Sequence, residues 1–95
     1  MKLLLVIVPR EARDDAEAAI SRAGAEGFTE IPGVYGEGSS GPRFGSRTAP
    51  DVSDLVFAAV PEERLAALRD ALRAVEARLG RRLRVFVLPI EQAWE

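Results

Sequence analysis

Arg43 and Arg47 flank Phe44 and Gly45 in a glycine-rich stretch, and their side chains are the ones here best suited to holding an anion. A guanidinium offers a fork of donors to a phosphate or carboxylate, and turn-rich backbone adds N–H groups for the same purpose. The alternative is an ordinary ion pair with Asp51, Asp54 or an acid of a neighbouring copy, which would simply hold the segment down. Arg81, Arg82 and Arg84 form the one dense basic run. They either supply a second anion contact or complement the carboxyl end of a preceding helix. The string Gly36-Glu37-Gly38-Ser39-Ser40-Gly41 has dinucleotide-binding spacing, but prolines and further glycines follow where the helix of such a site must begin, so that reading is rejected. Nothing specifies a hard cation between Glu37 and Asp51. The acid pairs Asp14-Asp15 and Glu62-Glu63 sit at helix starts, where the backbone dipole accounts for them.

Absences narrow the chemistry further. The chain has no histidine and no cysteine. The commonest general base, the commonest metal ligands and the thiolate nucleophile are therefore missing, which leaves carboxylates or Tyr35 as proton carriers and points away from an enzyme. No resident cofactor or metal is expected. A formal charge of -2 gives no basic field for a phosphate backbone, so nucleic acid is not an expected partner. The apolar opening Leu3–Val8 stops at Pro9, too short for a membrane span or an ordinary signal peptide, and the chain reads as cytoplasmic.

The elements that position these residues follow from periodicity. Lys2–Val8 reads as a buried strand, closed by Pro9. Ala12, Ala16, Ala19, Ile20 and Ala23 recur at helical spacing before Gly24 stops the helix. Phe28–Tyr35 reads as a second strand, at an edge or a bulge because Pro32 cannot donate to a ladder. Residues 31–50 hold five of the eight glycines and half of the prolines. That composition predicts a long loop at about 36–50, and loops beyond about 12–15 residues in a small domain are usually functional or disordered. Asp54–Val60 then reads as a central strand. Pro61 opens a helix with a Leu65, Leu68, Leu72, Val75, Leu79 seam, ended by Gly80, and Leu83–Leu88 is the fourth strand. The tail Ile90–Glu95 has no clear period, and Trp94 in it is expected to pack over a neighbouring copy or cap a cleft.

The order strand, helix, strand, strand, helix, strand predicts one α+β domain over residues 1–95, a ferredoxin-like four-stranded antiparallel sheet with both helices on one face. Two helices about 10 Å wide cover about four strands at 4.8 Å spacing, which leaves the other face open. The first and third strands are nonetheless apolar on both sides. Such a face predicts a homo-oligomer that buries sheet against sheet.

Several stretches also resemble a known family. Met1–Pro9, then Gly27-Phe28-Thr29-Glu30-Ile31, then Gly33-Val34-Tyr35-Gly36-Glu37-Gly38-Ser39-Ser40-Gly41 are similar to the first half of PII-like signalling proteins, the nitrogen-regulatory P-II superfamily. The resemblance implies a ferredoxin-like trimer with sheets turned inward. It also implies that the segment after the second strand is the T-loop, which reaches partner proteins and whose base shapes a ligand site between subunits. Gly36 and Gly38 match the loop-base glycines that let backbone approach a nucleotide, and Ser39-Ser40 stand where the family has polar residues ending in a glutamine. That glutamine is missing. The family's B-loop phosphate cradle has no counterpart, since only Leu79-Gly80-Arg81-Arg82 joins the second helix to the fourth strand.

The function expected is a trimeric regulator sensing a small anionic metabolite, with an adenine nucleotide as the implied effector, and signalling through its loop. The ligand residues would be Gly36, Glu37, Gly38, Ser39, Ser40, Arg43, Arg47, Arg81 and Arg82. A ligand-independent structural or protein-interaction trimer is the alternative. A small carboxylate-based enzyme and an RNA-binding sheet are weaker readings, the latter because the exposed face is aliphatic and the chain acidic.

Overall fold

The computed structural model describes residues 1–38, 41–44 and 52–95. β1 (Lys2–Pro9), β2 (Thr29–Val34), β5 (Ser53–Val60) and β6 (Arg84–Pro89) form one antiparallel sheet in the order β2-β5-β1-β6. The short strands β3 (Gly36–Gly38) and β4 (Gly41–Phe44) pair with each other in a separate hairpin. Single 3-10 turns, Arg10–Ala12 and Glu62–Arg64, lead into helices α1 (Arg13–Arg22) and α2 (Leu65–Leu79). The fold is ferredoxin-like, as the order of periodicities predicts. One difference lies inside the glycine-rich stretch, where β3 and β4 occupy part of what composition reads as loop.

Alternation decides which side of each strand is buried. Leu4, Val6 and Val8 of β1 and Val56, Ala58 and Val60 of β5 lie under both helices and form the core. On α1 the buried residues are Ala16, Ala19 and Ile20, joined by Ala12 before it and Ala23 after it, so small side chains let the helix lie close to the sheet. On α2 they are Leu68, Leu72 and Val75, with Leu65 and Leu79 packed at the margins.

The opposite sheet face is open. Leu3, Leu5, Ile7, Leu55 and Phe57 are only half-buried, and Ile31, Phe86 and Leu88 are exposed. β2 and β6 are its edges, and the register breaks between Pro32 and Val34, so the proline sits where no inner strand asks for its missing donor.

Helix α2 ends on Gly80 at φ +73°, in the left-handed region, with its N–H donating 2.8 Å to the Glu76 carbonyl. The turn beyond it is tight. The Glu76 carboxylate accepts from the Leu83 N–H at 2.8 Å, and Leu83 is drawn into the core just before β6 begins. A Cβ at Gly80 would meet nothing within 4 Å, so strain there comes from the backbone alone. Gly80→Ala is expected to lower stability by about 1 kcal/mol, the cost of left-handed backbone for an L-residue, seen as a shifted urea midpoint at unchanged slope.

Candidate functional site

The glycine-rich segment leaves β2 and returns at β5, and one buried carboxylate ties both stems. Asp54 is fully buried and is the only charged residue on the inward face of β5. Oδ1 of Asp54 accepts from the Arg10 guanidinium at 2.7 Å and from the Gly33 backbone N–H at 3.0 Å. Its Oδ2 accepts from Arg10 Nε at 3.1 Å and from Arg13 at 3.2 Å. The Arg10 backbone N–H also donates to the Val52 carbonyl at 2.9 Å. The start of β5, the end of β2, the end of β1 and the entry to α1 thus meet at one charge. Gly33, at φ +71°, makes the turn that presents its N–H to Asp54.

Electrostatics follow from that packing. Hydrogen bonds from Arg10, and then from the Gly33 N–H, hold the Asp54 carboxyl below the usual carboxylate range despite its burial. Glu17 on α1 behaves oppositely. Desolvation and the adjacent Glu30 carboxylate raise it to about 7. Arg13 lies among Asp14, Glu30 and Asp54, at 3.7, 3.3 and 3.2 Å, and Oε2 of Glu17 is buried without a hydrogen-bond partner among the described residues.

Gly36 and Gly38 lie in β3, directly beyond the anchored stem, and the backbone of Glu37 pairs with Pro42 of β4. Arg43 lies in β4. Ser39, Ser40 and Arg47 lie outside the described residues, as do the side chains of Glu37 and Arg43. Asp54, considered as a partner for Arg43 or Arg47, is instead taken by Arg10 and Arg13. At the other edge Arg81 reaches across to Glu11 of the first turn at 2.7 Å, while Arg82 lines a groove between α2 and β6. Trp94 is 81% exposed.

Register shows which candidates can meet. Val34 pairs with Ser53, Ser53 with Pro9, and Ile7 with Arg84, so the loop base and the basic run lie at the same end of the sheet. They belong to opposite edges, however, and two strands intervene. At about 4.8 Å per strand the separation is about 14 Å, too far for one small anion to touch both within a protomer. No group of three or more metal-ligating side chains occurs among the described residues. Likewise, no helix among them is long and apolar enough to cross a membrane.

The Asp54 network is the site feature that sequence reading missed. Strand parity carries its signal: Asp54 shares the alternating set of Val56, Ala58 and Val60, so a carboxylate there must be buried and must find cations.

The family described as "Nitrogen regulatory protein P-II" matches residues 1–95. No curated protein matches the chain. Among solved structures, CPII from Thiomonas intermedia K12, a nitrogen regulatory PII-like protein bound to ADP, AMP and bicarbonate, superposes with a TM-score of 0.73 at 27% identity, over 90% of this chain and 81% of that one. CPII bound to ADP and bicarbonate gives 0.71 at 29% identity, again over 90% and 81%. A DUF3240 family protein from Shewanella baltica OS155 shares the fold, with a TM-score of 0.74 at 22% identity over 99% and 93% of the two chains.

Truncating the buried carboxylate strands two guanidiniums and the Gly33 N–H. Asp54→Ala is therefore expected to lower stability by roughly 3 kcal/mol, read from chemical denaturation. The pH dependence has a definite sign. Because the folded-state pKa is depressed, the stabilisation is complete above the unfolded value of 3.8 and is lost as pH falls through the lower folded value. Asp54→Asn should remove that acid-side loss from a pH series of denaturation midpoints.

Proposed function

From the premise that the chain belongs to the nitrogen regulatory protein P-II family, we propose that it is a trimeric regulatory protein whose clefts between subunits take a small anion, and whose loop reports that binding to a protein partner. The observation that carries this reading is the placement of the two candidate anion contacts. Gly36 and Gly38 stand at the β2 edge and Arg82 near the β6 edge, at one end of the same sheet. A site that uses both needs two copies side by side. The open face of Leu3, Leu5, Leu55, Phe57, Phe86 and Leu88 supplies the reason for copies to assemble, since leaving it wet forgoes about 25 cal/mol for every square ångström that association would cover.

The effector is an adenine nucleotide, bicarbonate or both, the ligands named in the CPII structures. Arg82, Arg43 and Arg47 replace the absent phosphate cradle. Glu37, Ser39 and Ser40 line the loop base, and Arg81 is a ligand contact that first has to leave Glu11. The ligand acts by binding one loop arrangement more tightly than others, which is all that a regulatory ligand can do thermodynamically. The protein does no covalent chemistry in this reading.

A ligand-independent trimer is the second reading. It draws on the four-residue connection Gly80–Leu83, whose turn is already fastened by the Glu76 carboxylate on the Leu83 N–H.

Light scattering at micromolar concentration is expected to give three times the 10.3 kDa chain mass. Calorimetric titration with ADP, AMP and bicarbonate is expected to give heat that Arg82→Ala, Arg43→Ala or Arg47→Ala diminishes. A 10 kDa species alone defeats the assembly. Heat absent for all three ligands, or indifferent to every substitution, moves the reading to the ligand-independent trimer.

A further inference from the structure

Two buried atoms near the loop stem lack hydrogen bonds among the described residues, and they lie in one cluster: Oε2 of Glu17 on α1, an acceptor, and Nε of Arg13 one helical turn before it, a donor. Neither stands alone. Arg13 Nε lies 3.3 Å from Oε1 of Glu30 on β2 and 3.7 Å from Oδ1 of Asp14, attractive contacts without the alignment of a hydrogen bond. The side chain within hydrogen-bonding reach of Glu17 is again Glu30, one carboxyl group opposite another. Such groups bond to each other only when a proton lies between them.

The charges facing this point come from each element around it. Arg13 and Asp14 stand on α1, Glu30 on β2, Asp54 on β5, and Arg10 at the turn that follows β1. Asp14 is open to solvent and screened, so the balance is two guanidiniums against Asp54, Glu30 and Glu17. With a proton on Glu17 the cluster is neutral. Without it one negative charge is in excess, and desolvation, then Glu30, oppose that excess and raise the Glu17 carboxyl to about 7.

We propose that this cluster is a proton-operated latch on the loop stem, in which Glu17 is bonded to Glu30 through a shared proton in one setting and to Arg13 Nε in the other. Arg13 is the moving part. It holds Oδ2 of Asp54 at 3.2 Å, and Asp54 in turn holds the Gly33 N–H at 3.0 Å, three residues along β2 from Glu30. Release of the proton to solvent turns the Glu17–Glu30 bond into repulsion between α1 and β2, and it offers Arg13 Nε the acceptor it lacks. Turning Nε toward Glu17 draws the guanidinium off Asp54, which then keeps only Arg10, at 2.7 and 3.1 Å, and the Gly33 N–H. β3 begins just beyond that stem, so the loop base has a tighter setting below neutrality and a looser one above it.

The latch goes beyond the anion reading and needs no ligand, so its test uses the full chain without one. Carboxyl-carbon NMR of Glu17 through a pH series is expected to give a midpoint near about 7, and the Gly33 amide resonance is expected to move with that same midpoint. Glu17→Gln keeps a donor for Glu30 but no titrating proton, and circular dichroism checks its fold. In it the Gly33 resonance is expected to hold its low-pH position throughout. Linkage gives a second readout, opposite in sign to that of Asp54. Because the folded value is raised, the Glu17 contribution to stability is complete below the unfolded value of 4.5 and is lost as pH rises through about 7, a loss that Glu17→Gln removes. A Glu17 midpoint at its ordinary value, a Gly33 resonance that stays still while Glu17 titrates, or a Gly33 midpoint that survives Glu17→Gln overturns the latch. None of these results bears on whether an anion binds between copies, which calorimetry decides separately.

Discussion

A single buried carboxylate organises one end of this molecule's sheet. Asp54 sits at the start of an inner strand, where a pleated sheet would ordinarily place an aliphatic side chain, and it collects two guanidiniums and a backbone N–H from three other parts of the chain. Leaving the buried carboxylate unmatched would cost more than a typical surface ion pair gains, so the four parts are constrained together. The charge gives this corner one permitted arrangement, where apolar contacts alone would accept several. What lies beyond the corner can then vary without disturbing the core beneath α1 and α2.

The rest of the frame was largely written in periodicity. Ala12, Ala16, Ala19, Ile20 and Ala23 recur at helical spacing and are all buried, and Leu68, Leu72 and Val75 repeat the pattern on the second helix. Pro32 announced an edge and lies on one. Features that depend on distant partners were less visible. Asp54 looked like the polar first residue of an apolar strand, because Arg10 and Arg13 lie more than forty positions away and no local pattern links them. Val85 and Val87 face the helix side of the sheet yet are exposed, since alternation sets only the side a residue faces. How far a helix overhangs an edge strand is decided by packing. The β3–β4 hairpin lay hidden because glycine and proline mark turns without fixing which residues pair across them.

Of the nine residues named as ligand contacts, the frame separates two groups. Gly36 and Gly38 follow directly on the anchored stem, whereas Arg81 and Arg82 belong to the turn entering the opposite edge. Sequence reading could name both sets, because glycine runs and arginine runs are local. It could not tell that two strands keep them apart, which is a matter of strand order. That separation keeps the two sets about 14 Å apart within one copy, further than one small anion reaches.

The stem arrangement has a further consequence for how the protein can diversify. Val34 stands opposite Ser53, and Asp54 holds the Gly33 N–H, so the chain departs and re-enters at neighbouring points of a fixed frame. For a span whose ends are already held, doubling its length adds only about 0.6 kcal/mol of closure entropy. Such a port accepts longer, shorter or differently worded inserts at little thermodynamic penalty. The insert can therefore be rewritten while the scaffold stays as it is.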